Sequence, residues 1–199
     1  PLAVGVYAVE LAELGPTDTV VVIGVGAIGL STVQAAKVAG AKRIIVSEPI
    51  AARRGLALRL GASDVIDPSA SDAVEKVTRL TAGRGADVIF ECAGDSEAVR
   101  QASRMARVLG KVLIVGIPDE DTYSFDASSS RRKQLTALFV RRSNLTTEKS
   151  IRLVAEGKVD VASYATHHFS LEDAGKALEL ASTKGDGLVR AVVVVDTQQ

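Results

Sequence analysis

The stretch Thr19–Gly29, which reads TVVVIGVGAIG, decides the fold of this 199-residue chain. Its first five residues are all β-branched and lead into a glycine, which predicts a buried strand. The glycines that follow, Gly24, Gly26 and Gly29, have the spacing G-x-G-x-x-G. Because the chain contains 17 glycines, this spacing alone is a weak signal, and its position between a predicted strand and a predicted helix gives it meaning.

Each glycine of this turn has its own expected role in binding a dinucleotide. Gly24 makes the tight turn, Gly26 lets a pyrophosphate approach the backbone, and Gly29 lets the next helix pack close to the strand. The helix predicted at 27–39 would present unpaired N–H groups and its positive dipole end to the phosphates. The turn therefore predicts a dinucleotide site.

An acidic residue lies where this site needs one. Glu48 follows a second predicted strand, 43–47, and comes 19 residues after Gly29. A carboxylate at this position accepts hydrogen bonds from the adenosine ribose and repels the 2′-phosphate of NADP. We therefore expect NAD rather than NADP as the cofactor. Arg53 and Arg54 leave NADP open, because either guanidinium could pair with a phosphate.

Strands and helices alternate along most of the chain. A helix under way from Pro1 is followed by strands at 19–23, 43–47, 64–66, 87–91, 111–115 and 135–140, with helices at 27–39, 51–60, 72–81 and 96–107. This order predicts an α/β fold, a doubly wound parallel six-stranded sheet of the Rossmann type. Ligands bind such sheets at the carboxyl ends of the strands. Cys92-Ala93-Gly94 and Gly116-Ile117-Pro118 should therefore face the cofactor.

The pattern changes after Val140. A helix at 147–156, an extended stretch at 165–169, a helix at 171–181 capped by Ser170 and a strand at 190–195 predict a C-terminal helix–strand extension. We therefore divide the chain into a cofactor-binding domain at 1–140 and this extension at 141–199. The Ser-rich stretch 119–130 is predicted to be a surface loop with a short edge strand at Tyr123–Asp126.

Composition excludes several classes of function. The 24 basic and 24 acidic residues balance, which removes the electrostatic case for nucleic acid or an anionic membrane, and the basic clusters at 131–133 and 141–142 are expected to be solvated rims. No apolar run approaches the roughly 18 residues of a membrane span. Cys92, His167 and His168 are the only soft metal ligands, too few for a structural zinc site. One of the two histidines should be buried and the other exposed.

The single cysteine fits a reducing compartment, and we expect a cytoplasmic protein. Cys92 has no partner base in view, so it is expected to be a small buried residue rather than a nucleophile. The chain starts inside an apolar helix and without Met, which suggests a fragment of a longer protein.

Three segments together resemble a known family. They read VVVIGVGAIGLSTVQAAKVAGAKRIIVSEP, LGASDVIDP and GRGADVIFECAG, and they occur in the family's order. The chain is similar, from Pro1 to about Val195, to the zinc-dependent medium-chain dehydrogenases, and most to their polyol, butanediol and secondary-alcohol branch. The resemblance implies an enzyme that passes hydride between NAD and a secondary alcohol or polyol.

The resemblance also implies what lies outside this chain. Family members carry a GroES-like N-terminal domain that holds the catalytic zinc, its ligands and the proton relay. This chain would then hold no catalytic residue and no metal, and would bind NAD(H) without turning over substrate. The C-terminal extension would return toward that domain. Family dimers join their sheets through edge strands, which here would be Tyr123–Asp126 and Leu135–Phe139, so a homodimer is expected.

The family's cofactor contacts map onto individual positions of this sequence. The resemblance implies that the pyrophosphate is bound by Gly24, Gly26, Ala27, Ile28, Gly29 and Arg190. It implies that the adenosine is bound by Glu48, Arg53, Cys92 and Ala93. The nicotinamide would contact Val115, Ile117, Ala137 and Phe139. Glu48 stands where Asp is more usual, which leaves the NAD preference open to test.

Other classes of function fit parts of the same pattern. An NADPH-dependent quinone or enoyl reductase of the same superfamily is one, although Glu48 disfavours a 2′-phosphate. An S-adenosylmethionine methyltransferase is another, disfavoured by the third glycine at Gly29. A non-catalytic NAD-binding module is the third.

Overall fold

Six parallel strands form the centre of the molecule in a computed structural model that describes residues 1–183 and 185–195. The strands are β1 (Thr19–Ile23), β2 (Arg43–Ser47), β3 (Asp64–Ile66), β4 (Ala86–Glu91), β5 (Ala106–Ile114) and β6 (Thr136–Phe139). Their order across the sheet is β3-β2-β1-β4-β5-β6. The chain therefore steps outward from β1 in one direction and crosses back to β4 on the other side. This order confirms the predicted doubly wound Rossmann fold.

Helices cover both faces of this sheet. They are α1 (Leu2–Ala12), α2 (Ala27–Val38), α3 (Ala51–Leu60), α4 (Ala73–Leu80), α5 (Ser96–Met105), α6 (Ala127–Arg132), α7 (Thr147–Ala155) and α8 (Ala174–Thr183). Most boundaries lie within one or two residues of the predicted ones. Asp72 and Asp95 cap α4 and α5 by accepting hydrogen bonds from backbone N–H groups of the first turn.

The core is divided between the two faces by the alternation of side chains along the central strands. Val20 and Val22 of β1 point into the cluster under α1 and α2, whereas Val21 and Ile23 point into the cluster under α4 and α5. Every residue of β1 and β4 is buried. Burial on both faces explains why these strands read as continuous apolar runs rather than alternating ones.

A buried carboxylate ties together the amino-terminal edge of the sheet. Asp87 of β4 accepts a hydrogen bond from the Thr19 backbone N–H at 2.9 Å and pairs with the guanidinium groups of Arg84 and Arg107. Burial opposes its ionisation, but these hydrogen bonds outweigh that effect and hold the pKa of Asp87 well below its usual range.

Two predicted boundaries near β5 are wrong. The helix predicted to reach residue 107 ends at Met105, and β5 starts at Ala106 instead of Lys111. Ala106 pairs with Ala86, and the register then shifts before Lys111 pairs with Val88. Leu109 takes a positive φ of 60° in this irregular segment, a backbone state that propensity does not anticipate.

The edge strand predicted at Tyr123–Asp126 is also wrong. Asp126 instead caps α6, accepting from the Ser129 N–H at 3.0 Å, and Tyr123 packs on the core and donates its hydroxyl to the Gly116 carbonyl. Lys133 departs from the solvated rim expected of its cluster. Its ammonium donates to the carbonyls of residues 103, 104 and 106 at the end of α5, and burial lowers its pKa.

The C-terminal part forms a second, two-stranded parallel sheet. Strands β7 (Ala165–Ser170) and β8 (Arg190–Val194) pair with each other, and α8 packs on them. Ser170 accepts from the Asp173 N–H at 3.3 Å, but α8 starts at Ala174, three residues later than predicted. The division into domains at 1–140 and 141–199 stays a prediction.

This C-terminal part is tied to the main sheet layer by polar contacts. The amide of Gln34 in α2 accepts from the Asp160 N–H and donates to the Asp160 carbonyl and the Tyr164 hydroxyl, each at 2.8 Å. Thr146 donates to the Ala3 carbonyl in α1. Among the helices of the described residues, none combines the length and the apolar character needed to cross a bilayer.

Replacing Asp87 by Asn should lower the free energy of unfolding by about 2 kcal/mol, because charge-assisted hydrogen bonds are lost. The difference in stability between wild type and variant should shrink as the pH falls below the usual aspartate range. A depressed folded-state pKa contributes fully above the unfolded-state pKa, and the contribution is lost as the pH falls toward the folded-state pKa. Urea denaturation at pH 7 and pH 3 measures the loss of stability and its dependence on pH. Asp119→Asn, in an exposed loop, is the control and should change stability by less than about 0.5 kcal/mol. Equal stability of the two variants at pH 7 would contradict this account.

Candidate functional site

The glycine turn after β1 is shaped by two close approaches. Gly24 has φ +80°, and a Cβ built on it would lie 2.9 Å from the backbone of Ala93. A Cβ on Gly29 would lie 2.0 Å from the Gly24 carbonyl oxygen. The fold itself therefore requires glycine at both positions.

Gly26 differs from its two neighbours in the motif. Its φ is −68°, and within the described chain no heavy atom lies within 4 Å of a Cβ built on it, its own neighbours aside. Packing among the residues that the structure describes gives no reason for glycine at this position. Open space beside a backbone that lacks Cβ is what an approaching ligand needs.

Helix α2 starts directly at this open space. Its N-cap is Gly26, and no side chain of the described residues caps it. The N–H groups of the first turn, at Ala27, Ile28 and Gly29, have no partner within a helix by geometry, and the positive end of the helix dipole coincides with them. This arrangement suits an anion.

Glu48 lies beside the turn with its carboxylate folded inward. Oε2 accepts from the Val25 N–H at 2.8 Å and Oε1 accepts from the Ile50 N–H at 3.0 Å, and the residue is 3% exposed. One side chain thus connects the loop after β1 with the loop after β2. A carboxylate offers about four lone-pair positions, so two remain for ribose hydroxyls.

These elements border a cleft of about 470 Å³ at the carboxyl ends of β1, β2 and β4. Of the predicted site residues, the cleft is lined by Gly24, Gly26, Glu48, Arg53, Cys92 and Ala93. Ala27, Ile28 and Gly29 form the first turn of α2, which starts at Gly26 in its wall. The cleft therefore lies at the switch point of strand order, between β1 and β4, where doubly wound sheets bind ligands.

The wall of the cleft also contains residues that sequence reasoning did not select. They are Ser47, Pro68, Asp95, Glu97 and Gln101, among others. Cys92 was selected because ligands bind at the carboxyl ends of the strands. The same rule could have selected Asp95, because both residues follow β4 at its carboxyl end. Glu97 and Gln101 belong to α5 and face the cleft only because of how that helix packs.

Cys92 is a lining residue of low reactivity. Its Sγ lies 3.9 Å from the Thr32 hydroxyl, and burial raises the pKa of the thiol far above neutrality. A thiol that stays protonated is a poor nucleophile. Cys92 is only partly exposed and not fully buried as expected, and its lack of a nucleophilic role stays a prediction.

The residues expected at the nicotinamide end lie farther along the sheet. Val115 is buried, whereas Ile117 is 87% exposed. Ala137 and Phe139 lie on edge strand β6, paired with residues 112 and 114 of β5. The four positions share the carboxyl side of β5 and β6 but do not line the 470 Å³ cleft, so their role stays a prediction.

Arg190 lies away from the glycine turn. It lines a separate, largely apolar cavity of about 540 Å³ between α8, β8 and Arg53. Arg53 borders both cavities, and its Nε donates to the Leu188 carbonyl at 2.9 Å. The adenosine role of Arg53 and the pyrophosphate role of Arg190 stay predictions.

Glu91 is a buried acid that the sequence reading overlooked. It is the last residue of β4 and fully buried, and its Oε1 accepts from the N–H groups of Ala93 and Gly94 at 2.7 and 2.8 Å. Its Oε2 finds no hydrogen-bond partner within the described residues and faces Gly116. Burial raises the pKa of this carboxyl, against the opposing effect of the two hydrogen bonds. The sequence DVIFE, in which an acid ends an apolar strand, was the signal that could have identified Glu91.

The residues present do not fit a zinc ion. In the part of the chain that the structure describes, no group of three His, Cys, Asp or Glu side chains is placed to hold a metal. Cys92 contacts Thr32. His167 is half-buried and lies 3.2 Å from Asp186 through Nε2, while His168 is exposed on the other face.

The sheet order and the glycine turn at its switch point define the Rossmann class of nucleotide-binding folds. Residues 27–156 match the family described as zinc-binding dehydrogenase. The chain belongs to this family.

Individual relatives are similar over nearly the whole chain. Sorbitol dehydrogenase from Bacillus subtilis is 33% identical over 91% of this chain and 51% of its own length. A solved oxidoreductase/dehydrogenase of unknown specificity from Escherichia coli superposes with a TM-score of 0.92 at 31% identity, covering 98% of this chain and 56% of that one. A zinc-binding dehydrogenase from Sinorhizobium meliloti 1021, solved bound to NADP, gives 0.88 at 32%, covering 98% and 57%. The chain spans about half the length of the curated relatives it matches.

Replacing Glu91 by Gln should make the protein more stable than the wild type as the pH rises, because the amide keeps an acceptor for Ala93 and Gly94 without a buried charge. An acid with a raised folded-state pKa loses stability as the pH rises above its unfolded-state value of about 4.5. Glu91→Ala should be about 2 kcal/mol less stable than Glu91→Gln at every pH, since two buried N–H groups lose their acceptor. Urea denaturation from pH 4 to pH 8 separates the variants. A difference between Gln and wild type that does not change with pH would contradict the assignment.

Proposed function

We propose that this chain is the cofactor-binding part of an NAD-dependent alcohol or polyol dehydrogenase, which passes hydride between NAD and a secondary alcohol or polyol. The observation that carries the proposal is the open space at Gly26, where a glycine that packs on none of the described residues adjoins a helix N-terminus that none of their side chains caps. The sorbitol dehydrogenase relative supports the substrate class.

The pyrophosphate would be held at the start of α2. The N–H groups of Ala27, Ile28 and Gly29 point toward the space beside Gly26, and the helix dipole favours negative charge there. Gly24 and Gly29 act indirectly, because they allow the strand and the helix to approach closely enough to form the turn. Arg190 could approach a phosphate only from the neighbouring cavity, through the side that Arg53 shares.

The adenosine end of the cleft is acidic. Glu48 would accept from the ribose hydroxyls with its remaining lone pairs while it keeps Val25 and Ile50 in place. Asp95 and Glu97 also line the cleft and add negative charge to it. A 2′-phosphate on the ribose would be repelled by the Glu48 carboxylate, which supports NAD over NADP. The NADP-bound relative keeps the other cofactor as the alternative to be tested.

Bound NAD would supply the carbon that accepts hydride. The residues of this chain orient it: Val115 and Ile117 after β5, and the backbone of Ala137 and Phe139 on β6, would flank the nicotinamide ring. Glu91 holds the Ala93–Gly94 turn against the Gly116 turn, so that the two loops approach one another at the middle of the sheet. The zinc and the proton relay are proposed to belong to a part of the protein outside these residues.

We also propose a homodimer that joins two sheets through β6. This strand is at the edge of the sheet, and three of its four residues are exposed, including the aromatic side chain of Phe139. An unpaired edge of this kind is a template for pairing with a second copy.

The cofactor site predicts the behaviour of one glycine variant. Gly26→Ala should keep the wild-type melting temperature, because no atom opposes the new Cβ, yet weaken NADH binding by about tenfold or more, or 1.4 kcal/mol per tenfold. Gly175→Ala in α8, also in open space, is the matched control and should bind normally. Titration followed by NADH fluorescence measures both.

The same titration tests the proposed function as a whole. The wild type should bind NADH more tightly than NADPH. The opposite preference would favour the reductase alternative. Binding to neither nucleotide would reject a cofactor site that functions in this chain.

The proposed dimer predicts a scattering mass twice the 20.7 kDa of the chain. Thr136→Lys places a charge on the exposed edge of β6 and should shift the mass toward the monomer. Light scattering at several concentrations provides the measurement. A wild-type monomer at the highest concentration would reject the edge-to-edge dimer.

A further inference from the structure

An arginine behind the adenosine end of the cleft is held by three oxygens. Arg54, in the first turn of α3, donates through Nη1 to the carbonyls of Glu48 and Pro49 at 2.8 and 2.6 Å. Its Nη2 lies 2.9 Å from Oδ2 of Asp67, just after β3. The Arg54 side chain is 18% exposed and that of Asp67 is 30% exposed.

The other partner of the pair is held as firmly. Oδ1 of Asp67 accepts from the Ser69 N–H at 2.9 Å, and the Asp67 carbonyl accepts from the Ser71 hydroxyl. The acid therefore presents its second oxygen to Arg54 from a fixed turn. The fork of the guanidinium matches this combination of carbonyl and carboxylate acceptors, which an ammonium would not match.

Both residues flank the cleft without lining it. The residue before Arg54 and the residue after Asp67, Arg53 and Pro68, line its wall, as does the Glu48–Ile50 turn that Arg54 holds. Arg53 itself donates to the Leu188 carbonyl. The two cations at the start of α3 are thus both engaged with oxygen atoms of this chain.

We propose that Asp67 is a specificity-determining residue, which selects NAD over NADP by keeping Arg54 turned onto the Glu48–Pro49 carbonyls with its charge neutralised. This proposal rests on the proposed function. Glu48 disfavours a 2′-phosphate by repulsion, and Asp67 removes the cation that would otherwise attract it. The Arg54–Asp67 pair would discriminate between NAD and NADP through the charge of the 2′-phosphate, and it would not contact the part that the two cofactors share.

The sign of the effect follows from the charges. A phosphate monoester carries about −1.5 to −2 at pH 7. Without the carboxylate of Asp67, the guanidinium of Arg54 keeps an uncompensated positive charge beside the ribose end of the cleft. Coulomb attraction in a solvated site then tightens NADPH binding by about three- to tenfold more than NADH binding, because NADH lacks the 2′-phosphate.

Asp67→Asn tests the proposal, because the amide keeps the oxygen that accepts from Ser69 but loses the charge. Asp64→Asn is the matched control: Asp64 starts β3, pairs with Arg43 at 2.7 Å, and lies at the opposite end of the same strand. Titration with NADH and with NADPH gives the ratio of the two dissociation constants for each variant. We expect the ratio to shift toward NADPH in Asp67→Asn and to stay unchanged in Asp64→Asn.

Two further variants make the result specific to the charge of Arg54. Asp67→Asn combined with Arg54→Gln should return the ratio to the wild-type value, because the gain requires the guanidinium. Asp67→Ser is the second variant if Asp67→Asn does not fold, and it should also shift the ratio toward NADPH, because its hydroxyl can still accept from the Ser69 N–H while the charge is lost.

The outcomes separate the inference from the function on which it depends. Parallel weakening of both nucleotides in Asp67→Asn would show a purely structural pair and overturn the inference while leaving the cofactor site intact. An equal shift in the Asp64→Asn control would overturn it as well. A wild type that binds neither nucleotide rejects the proposed function, and the inference with it.

Discussion

The approach of helix α2 to strand β1 is the constraint on which the rest of the structure depends. A Cβ at Gly29 would lie 2.0 Å from the carbonyl of Gly24, so the helix can start where it does only because that atom is absent. The short turn brings the positive end of the helix to the switch point of the sheet. It also sets the position of Val25, whose N–H meets Glu48. A looser turn would remove both the anion site and this contact.

Buried carboxylates organise the loops that surround this point. At the amino-terminal edge of the sheet, Asp87 accepts a hydrogen bond from the Thr19 N–H and pairs with two arginines. At the opposite edge, Glu48 connects the loops after β1 and β2, and Glu91 holds the loop after β4. Each acid accepts backbone N–H groups that no strand or helix satisfies, and Glu48 and Glu91 thereby hold the loops at the edge of the sheet where the cleft lies.

Local patterns predicted the centre of the fold far better than its edges. The β-branched run of β1 and the apolar run of β4 specify buried strands, because both faces of a central parallel strand meet core. The start of β5 at Ala106 and the backbone at Tyr123–Asp126, where a strand was predicted and none formed, were both predicted wrongly, and the two errors share one cause. Their backbone follows from pairing with Ala86 and from a hydroxyl bond to Gly116, contacts between distant residues that carry no local periodicity.

The sequence by itself determined the strand–turn–helix unit, the number of sheet strands and the acid at Glu48, because β-branched runs and glycine spacing act over a few residues. The tertiary structure alone decided what the side chains around the cleft bond to. Glu48 turns inward to Val25, one oxygen of Glu91 has no partner among the described residues, and Arg54 of α3 reaches Asp67 in the loop after β3. Hydrogen-bond partners are chosen by which loops the sheet order places side by side, and that order is a property of the whole chain.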